Sequence, residues 1–345
     1  MSCADSSAGP LTAAEVASFV DRGFVRLQNA FPPEAAAAVR NFLWRDRLQP
    51  AGIARSDPST WVLRHGIPEV FAAEAGGVGM WSDVLTARLH AGIDQILGEG
   101  RWAKPELGCG WWVVSFPGQE APPWGPSGRF HVDGAHFRHF PHSKEQALLP
   151  IFLFSDIGEG EGGTALAAGS HSRVAQLLLE HEREGLPGGE LTRRALKLPG
   201  VLDDLVEVNG KAGDVVLLHP FLVHARSKNL GLRGLDSVRF GCFPAVALRE
   251  SMDLDRDDEQ SYSAVETAIV RARERSVCPV AFGGGKKWRD RGGGRSAAPR
   301  RKQKKRRKRR RGEGDGDSGA AAPVAGCGKA AAAEELHTAS VAHGT

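Results

Sequence analysis

The sequence predicts a mainly β fold with flanking helices, in which a β-sandwich or jelly roll is buttressed by N-terminal helices. Two observations support this prediction. Helical patterns dominate the chain before about residue 100, and from about Gly108 onward short β-branched and aromatic runs are separated by Gly and Pro. Helices first and many short strands afterwards are typical of a β-sandwich or a jelly roll. With 41% hydrophobic residues, the chain can build a substantial core.

The first elements follow from local signals at the N-terminus. Residues 1–10 are small and polar and are predicted to be disordered. Thr12 is predicted to cap a helix, with Glu15 as its capping-box partner and Gly23 as the end of the helix. The alternation in GFVRLQNAF predicts a strand within residues 23–31.

The remaining elements follow from hydrophobic periodicity. Helices are predicted after Pro32 and Pro33, over 81–97, and over 173–197. The predicted strands are rich in β-branched and aromatic residues, and they cover 111–116, 129–133, 148–157, 214–219, 221–225 and 237–243.

Past Phe282 the chain becomes a low-complexity tail. Between Lys286 and Arg311 it carries sixteen of the 45 basic residues and one of the 41 acids, which leaves 29 bases and 40 acids elsewhere. The rest of the chain is therefore acidic, and any nucleic-acid contact belongs to the tail. We predict one domain over 11–282 and a disordered basic tail over 283–345, because the tail cannot bury enough apolar surface to fold.

The pattern of cysteines favours a reducing compartment. Five scattered cysteines form no CxxC pair, which argues against a disulfide framework and a structural zinc site. The N-terminus shows no signal peptide, and no apolar run is long enough to cross a bilayer. We predict a cytoplasmic or nuclear protein that is not secreted and has no membrane contact. The basic run 300–311 would contact a polyanion or a nuclear-import receptor.

The segment FHVDGAHFRHF contains a candidate metal pair, His131 and Asp133. On a strand, residues i and i+2 point to the same face, so an imidazole and a carboxylate would converge there. Together with a distant histidine they would form the facial triad of non-haem Fe(II) oxygenases. A solvated histidine-rich loop, or His136 as an alternative ligand, remains open at this point.

The segment GDVVLLHPFLVHARSKN supplies two distant histidines, His219 and His224, and is followed by Arg239 on a predicted strand. An arginine in this position suits 2-oxoglutarate chemistry. The cosubstrate chelates iron at one end, and a guanidinium offers a bidentate fork to the carboxylate at its other end.

These segments together resemble the phytanoyl-CoA dioxygenase family. The resemblance runs from about Leu11 to Phe243 and rests on four elements in the family's order. They are LTAAEVASFVDRGFVRLQNAFPPE, the HVD tripeptide, GEGEGGTALAAGSH with Ala168 where Pro is usual, and GDVVLLHPFLVHARSKN.

The resemblance assigns roles to individual residues. It implies that His131, Asp133 and His224 hold Fe(II), because His224 lies the family's five residues before Asn229. It implies that Arg239 binds 2-oxoglutarate, although Arg239 lies further from the distal histidine than is common. Arg233 is closer in sequence and is the alternative, but it lies in a Gly-rich turn and not on a predicted strand. Arg226 departs from the family, since many relatives have Ser or Thr there.

The resemblance also implies the fold and the reaction. The fold would be a double-stranded β-helix, that is, a cupin-like jelly roll. The reaction would be hydroxylation of a small organic substrate by O2, with release of succinate and CO2. Asp133 favours hydroxylation, because related halogenases replace this carboxylate with a small residue. Three alternatives remain open: an oxygenase acting on a nuclear protein or nucleic acid, a cupin-like metalloprotein that does not use 2-oxoglutarate, and a non-enzymatic binding module.

Overall fold

The computed structural model describes residues 9–62, 82–103, 110–118, 120–231 and 233–277, which belong to one unit, Met1–Gly283. The predicted tail, its basic run and nearly all of the predicted disordered N-terminus lie outside the described residues. The domain boundaries and the location in the cell therefore stay predictions. Among the helices in the described part of the chain, none has the length and apolar character that crossing a bilayer requires.

The described helices come in three groups along the chain. The N-terminal group is followed by a pair within the strand-rich region and by one C-terminal helix. Their bounds are α1 (Ala13–Arg22), α2 (Pro33–Leu43), α3 (Ala87–Leu97), α4 (Ser170–Leu179), α5 (Gly188–Ala195) and α6 (Ala264–Val277). A π turn (Trp44–Leu48) and a 3-10 turn (Gln49–Ala51) extend α2.

The strands are short and pair antiparallel wherever they form a ladder. They are β1 (Phe24–Leu27), β2 (Gly110–Ser115), β3 (Arg138–His139), β4 (Leu149–Leu153), β5 (Ala165–Ala167), β6 (Leu186–Pro187), β7 (Leu205–Glu207), β8 (Val215–Leu218), β9 (His224–Ala225) and β10 (Arg239–Pro244). The large sheet has the order β1-β8-β4-β10-β2, the small sheet has the order β7-β5-β9, and β3 pairs with β6.

Helix α1 begins and ends as its sequence predicts. Thr12 Oγ1 accepts from Glu15 N at 3.2 Å, and Glu15 Oε2 accepts from Thr12 N at 2.8 Å, which completes the capping box. Gly23 ends the helix in the left-handed conformation, with φ +83°. A Cβ there would lie 2.5 Å from His171 Nδ1, so glycine is required both by its conformation and by the close contact.

The large sheet buries both faces. Because side chains alternate along a strand, Ile151 and Leu153 of β4 point to an inner cluster shared with Leu166 of the small sheet. Phe152 and the following Phe154 point the other way, into the main core beneath the helices. This two-sided burial makes β4 apolar at every position and leaves an interior between the two sheets, which the site described below occupies.

The structure corrects four predicted elements. The strand over 129–133 is wrong: this segment joins the sheet through a single bridge, His131–His224, because Gly134 (φ +91°) turns the chain directly after Asp133. The strand over 221–225 is reduced to β9, since the chain turns after His219. The 173–197 helix is two helices, which a left-handed Gly185 (φ +60°) and Pro187 separate. The helix over 81–97 begins at Ala87, where Thr86 Oγ1 accepts from Leu89 N at 3.1 Å.

Candidate metal centre

The candidate centre forms where the segment around His131 meets β9. His131 N donates to His224 O at 2.9 Å, and His224 N donates to His131 O at 3.0 Å. This reciprocal pair makes the two residues direct antiparallel neighbours, whose side chains share a face. Their ring centroids are 4.5 Å apart. Residues 93 positions apart in the chain thus present adjacent imidazoles.

Asp133 completes a cluster of three ligand types. His131 Nε2 lies 3.1 Å from Asp133 Oδ1, and His224 Nε2 lies 3.7 Å from the same oxygen. One donor atom from each residue falls within 4.8 Å of the others. The side chain of His224 is 6% exposed, whereas those of Asp133 and His131 are 29% and 44% exposed. The cluster is therefore buried on one side and open on the other.

Backbone carbonyls orient both imidazoles. His131 Nδ1 lies 3.0 Å from Arg129 O, and His224 Nδ1 lies 3.0 Å from Leu222 O. A carbonyl oxygen only accepts, so each Nδ1 carries the hydrogen and donates it. The neutral ring then has its lone pair on Nε2, which is the atom that faces Asp133. This is the arrangement of metal-binding histidines whose second nitrogen is fixed by a carbonyl.

The charges within the cluster demand a cation. Burial opposes the charge of Asp133, but the neighbouring His224 and His131 outweigh it and hold the pKa of Asp133 below its ordinary value. The pKa of His224 is lowered, chiefly by burial, whereas the hydrogen bond to Asp133 raises the pKa of His131. Two lone pairs and a carboxylate oxygen directed at one another need a proton or a metal between them. Two imidazoles and one carboxylate are the donor set of non-haem iron(II) sites, so the residues fit iron.

A hydroxyl on α5 fixes the segment between the two proximal ligands. Thr192 Oγ1 accepts from Val132 N at 3.1 Å. Val132 is buried between His131 and Asp133, so its own side chain points into the core. The segment is thus held at His131 by the bridge to β9 and at Val132 by α5. Although it is not a strand, it still directs His131 and Asp133 to one place.

Arg239, on β10, is a buried cation with neutral partners. It is 1% exposed. Its Nη1 donates to Gly162 O at 2.6 Å and its Nη2 donates to Thr164 Oγ1 at 2.8 Å. Its Nε is buried without a hydrogen-bond partner, and no carboxylate of the described residues forms an ion pair with it. Burial lowers the pKa of Arg239 to about 10 against the opposing effect of the nearby Glu207 carboxylate, which still leaves Arg239 charged at neutral pH.

The contacts of Arg239 place it on the same interior as the histidines. Leu166 pairs with His224 across the small sheet, so both side chains point to one face, and Leu166 belongs to the inner cluster. Thr164 precedes Leu166 by two residues and therefore points the same way, roughly 7 Å further along the chain. Arg239 Nη2 binds Thr164, so the guanidinium faces this interior close to His224.

The competing candidates for these roles have other contacts. Arg233 forms an ion pair with the buried Glu161 and is not available as a free cation. Half-exposed Arg226 lies 3.4 Å from Glu120. His219 is buried against His171, with ring centroids 4.8 Å apart, and His136 is exposed beside Phe137. The structure thus brings His131, Asp133 and His224 together, and His136 lies outside this cluster although its charge acts on Asp133.

Sequence reasoning missed the loop that receives Arg239. Glu207 accepts from Gly160 N at 2.7 Å and from Gly163 N at 3.0 Å, which shapes the turn that presents Gly162 O to Arg239. The available signal was the GEGEGG run: a Cβ at Gly163 would lie 2.0 Å from Val208 O. Such glycines mark a close approach of two backbone segments.

Comparison with a protein-family model gives one match. The model of the family described as phytanoyl-CoA dioxygenase (PhyH) matches residues 19–233. This range includes His131, Asp133 and His224, and it ends before Arg239. No curated protein sequence matches the chain.

Several solved structures share part of the backbone path at low sequence identity. The carbocyclase SnoK from nogalamycin biosynthesis is 18% identical, with a TM-score of 0.48 over 70% of this chain and 85% of its own. EctD from S. alaskensis, with 2-oxoglutarate and 5-hydroxyectoine, is 19% identical, with a TM-score of 0.43 over 70% of this chain and 78% of its own. AviO1 from Streptomyces viridochromogenes Tue57 is 18% identical, with a TM-score of 0.43 over 72% of this chain and 99% of its own. At this level none of these likenesses assigns a ligand or a substrate to this chain.

Proposed function

The chain belongs to the phytanoyl-CoA dioxygenase family, and from this premise we propose that it hydroxylates a small organic substrate at a centre formed by His131, Asp133, His224 and Arg239. Members of this family are iron(II)- and 2-oxoglutarate-dependent oxidoreductases, so the chain is a 2-oxoglutarate-dependent dioxygenase. We propose the residues that carry out the reaction and the type of reaction, but not the identity of the substrate.

The observation that carries the proposal is a buried arginine whose hydrogen-bond acceptors in the described residues are neutral, on the interior that also holds a two-histidine, one-carboxylate cluster. A buried charge is costly unless it is paired. Arg239 has only neutral partners within the described residues, and its Nε has none. The far carboxylate of 2-oxoglutarate would supply the missing negative charge, as a charge-assisted and geometrically specific contact.

Each residue then has a defined task. Asp133 and the two Nε2 atoms would hold iron(II), while Arg129 O and Leu222 O keep those lone pairs inward. Arg239 would orient the cosubstrate, with Gly162 and Thr164 fixing the guanidinium. When bound, iron(II) and 2-oxoglutarate would supply the oxidising power to insert one oxygen atom of O2 into a substrate C–H bond, with the other oxygen atom entering succinate and CO2 being released. The exposed side of His131 is where substrate would approach.

The fold assignment is part of the same proposal. We assign residues 11–282 to one domain with a double-stranded β-helix core. The support is the pair of antiparallel sheets that enclose an interior, with the candidate ligands on that interior. The alternatives find less support. A cupin-like metalloprotein that does not use 2-oxoglutarate gives Arg239 no role, and an oxygenase acting on nucleic acid would need a basic face that the acidic domain does not predict.

The test separates metal binding from cosubstrate binding. We expect the Fe(II)-loaded wild type to form succinate from 2-oxoglutarate and to bind 2-oxoglutarate in calorimetry. Arg239→Ala should bind Fe(II) normally but bind 2-oxoglutarate about ten- to hundredfold more weakly, the loss expected for a charged hydrogen-bonding partner. His131→Ala should lose Fe(II) binding, and succinate formation should fall to background in both variants.

A matched control uses Arg183, an exposed arginine in the turn after α4. Arg183→Ala should behave as wild type in both binding and turnover. If the wild type binds Fe(II) but neither binds 2-oxoglutarate nor forms succinate, the oxygenase proposal is wrong and the cupin-like alternative takes its place.

A further inference from the structure

A second cleft lies on the outer side of the large sheet, away from the metal centre. It has a volume of about 610 Å³, within the range of small-molecule sites. Phe240 of β10 lines it, together with Trp44 and Trp61. Arg239 precedes Phe240 on the same strand and therefore points to the opposite face of the sheet. The two sites share a strand but not a surface.

Two arginines that line the cleft lie close enough together for their charges to interact. Arg40 and Arg55 both line it, and neither forms an ion pair with a carboxylate of the described residues. Arg40 Nη1 donates to Phe154 O, and Arg55 Nη1 donates to Asn41 Oδ1 at 3.3 Å. These acceptors are neutral, although the negative charge of Asp156 also acts on Arg40 and offsets part of its positive charge.

The proximity of the two arginines has an energetic cost. Burial is the main cause that lowers the pKa of Arg40, and the positive charge of Arg55 lowers it further. A half-buried cation beside a like charge is unfavourable, and an anion placed between the two guanidinium groups would relieve both the desolvation and the repulsion. Guanidinium groups match carboxylate and phosphate oxygens in geometry as well as in charge.

The two acids that line the cleft, Asp156 and Asp236, have other hydrogen-bond partners or are exposed. Asp156 accepts from Lys211 Nζ at 2.9 Å and from Ala212 N at 2.9 Å. Asp236 is exposed. Arg233, the third arginine of the cleft, already forms an ion pair with Glu161. Because Asp156 is already held by Lys211 and Ala212, it offsets only part of the positive charge of Arg40 and Arg55.

The wall that carries Arg55 is fixed by its own hydrogen bonds. Trp61 Nε1 donates to Ala54 O at 2.8 Å, and Ala54 N donates to Thr60 Oγ1 at 2.9 Å. The ring of Trp61 lies 6.1 Å from that of Trp44, and the ring of Trp44 lies 5.6 Å from that of Phe240. Three aromatic rings that pack against one another thus adjoin the two arginines.

We propose that this cleft binds a small organic oxyanion, with its carboxylate or phosphate group at Arg40 and Arg55 and its apolar body against Trp44, Trp61 and Phe240. The site goes beyond the proposed oxygenase function and does not depend on it. It requires neither iron nor 2-oxoglutarate.

Calorimetry of the full chain without added iron or 2-oxoglutarate tests this site. The probes are benzoate and phenyl phosphate, with benzyl alcohol as the neutral compound that keeps the aromatic body. We expect saturable binding of at least one oxyanion, and at least about tenfold weaker binding of benzyl alcohol. The stronger of the two oxyanions identifies the head group that the site prefers.

Variants show where the probe binds. Arg55 is exposed, so Arg55→Ala should keep the fold and weaken probe binding by about tenfold or more. The second variant, Arg40→Lys, keeps the positive charge but loses the planar guanidinium group that can donate two parallel hydrogen bonds. Arg183→Ala and Arg239→Ala should leave probe binding unchanged.

Three results would overturn the proposal. The first is no saturable binding of either oxyanion. The second is probe binding that is lost in Arg239→Ala but kept in Arg55→Ala, which would put the probe at the cosubstrate site. The third is binding that survives both Arg55→Ala and Arg40→Lys, which would assign it to basic residues elsewhere, such as the run 300–311.

Discussion

Buried charges of this protein differ in whether a counter-charge accompanies them. Glu266 is fully buried and lies 2.6 Å from Arg101 Nη1. Burial opposes the ionisation of Glu266. The hydrogen bonds from Arg101 and from backbone groups outweigh this effect and lower the pKa of Glu266 to about 2. This is how a structural ion pair is stabilised. Arg239 is equally buried but has only neutral acceptors. The contrast is why we assign Glu266 to the fold and Arg239 to a ligand.

The buried histidine His171 makes the stability of the protein depend on pH. His171 Nε2 contacts Val20 O at 3.0 Å, and burial lowers the pKa of His171 to about 4. In the unfolded chain a histidine titrates near 6.5. Between about pH 6.5 and pH 4 the unfolded state therefore binds a proton that the folded state does not, so the free energy of unfolding falls as pH falls.

We predict that His171→Gln, which keeps a donor for Val20 O, removes part of this pH dependence. Between pH 7 and pH 5 the wild type should lose about 2 kcal/mol more of its free energy of unfolding than the variant, at about 1.4 kcal/mol per unit of pKa difference. Urea denaturation at the two pH values measures this. Parallel losses in the two proteins would show that His171 is not the source.

At the scale of elements, β10 and the loop before it determine the position of the cosubstrate arginine. Asn229, fully buried, holds this loop: its Nδ2 donates to Ser115 O at 3.1 Å and to Ser237 O at 2.7 Å, and its Oδ1 accepts from Gly231 N at 3.1 Å. The first contact reaches β2 and the second lies two residues before Arg239. Asn229, which follows β9 in the chain, thus connects this segment to β2 and to the start of β10.

Asn229→Ala should therefore affect both stability and cosubstrate binding. We expect the free energy of unfolding to fall by about 2–4 kcal/mol, because buried carbonyls lose their donors, and the affinity for 2-oxoglutarate to fall as Arg239 loses its fixed position. Chemical denaturation and calorimetry measure the two effects. Arg183 is exposed, so Arg183→Ala should change stability by no more than about 0.5 kcal/mol. Equal effects of the two substitutions would contradict this role of Asn229.

At the scale of the whole molecule, the last described helix belongs to the domain. Ala268, Ile269 and Ala272 of α6 are buried in the main core, and α6 packs against α1 and α4. The sequence analysis assigned no element to this segment. Alanines are interspersed with arginines and glutamates in this helix, so its apolar face is narrow. Only the packing against other helices shows that this face is buried.

Truncation tests the proposed domain boundary. A chain ending at Phe282 should keep the melting temperature and the succinate formation of the full chain, because the residues removed follow the domain. A chain ending at Ser263 loses α6 and exposes the core beneath it, at a cost of about 1.5–3 kcal/mol for Ile269 alone. We expect this shorter chain to melt at a lower temperature. Loss of turnover in the chain that ends at Phe282 would assign the tail a part in the reaction.

The sequence by itself determined what depends on neighbours in the chain. Thr12, Glu15 and Gly23 set the ends of α1 through contacts within a few residues, and the structure confirms them. The family resemblance, carried by short motifs, is likewise confirmed by the match over residues 19–233. Short runs rich in β-branched and aromatic residues predicted most of the large sheet, since such residues favour strands.

Only the tertiary structure decided how distant residues meet. The predicted strand over 129–133 is a single bridge, so the convergence of His131 and Asp133 comes from β9 and Thr192, not from strand alternation. The bond of Arg239 to Thr164 and the ion pair of Arg233 join residues more than 70 positions apart. Such contacts depend on burial and on the pairing of sheets, which local sequence does not encode. For the same reason the cleft at Arg40 and Arg55 could be found only in the folded chain.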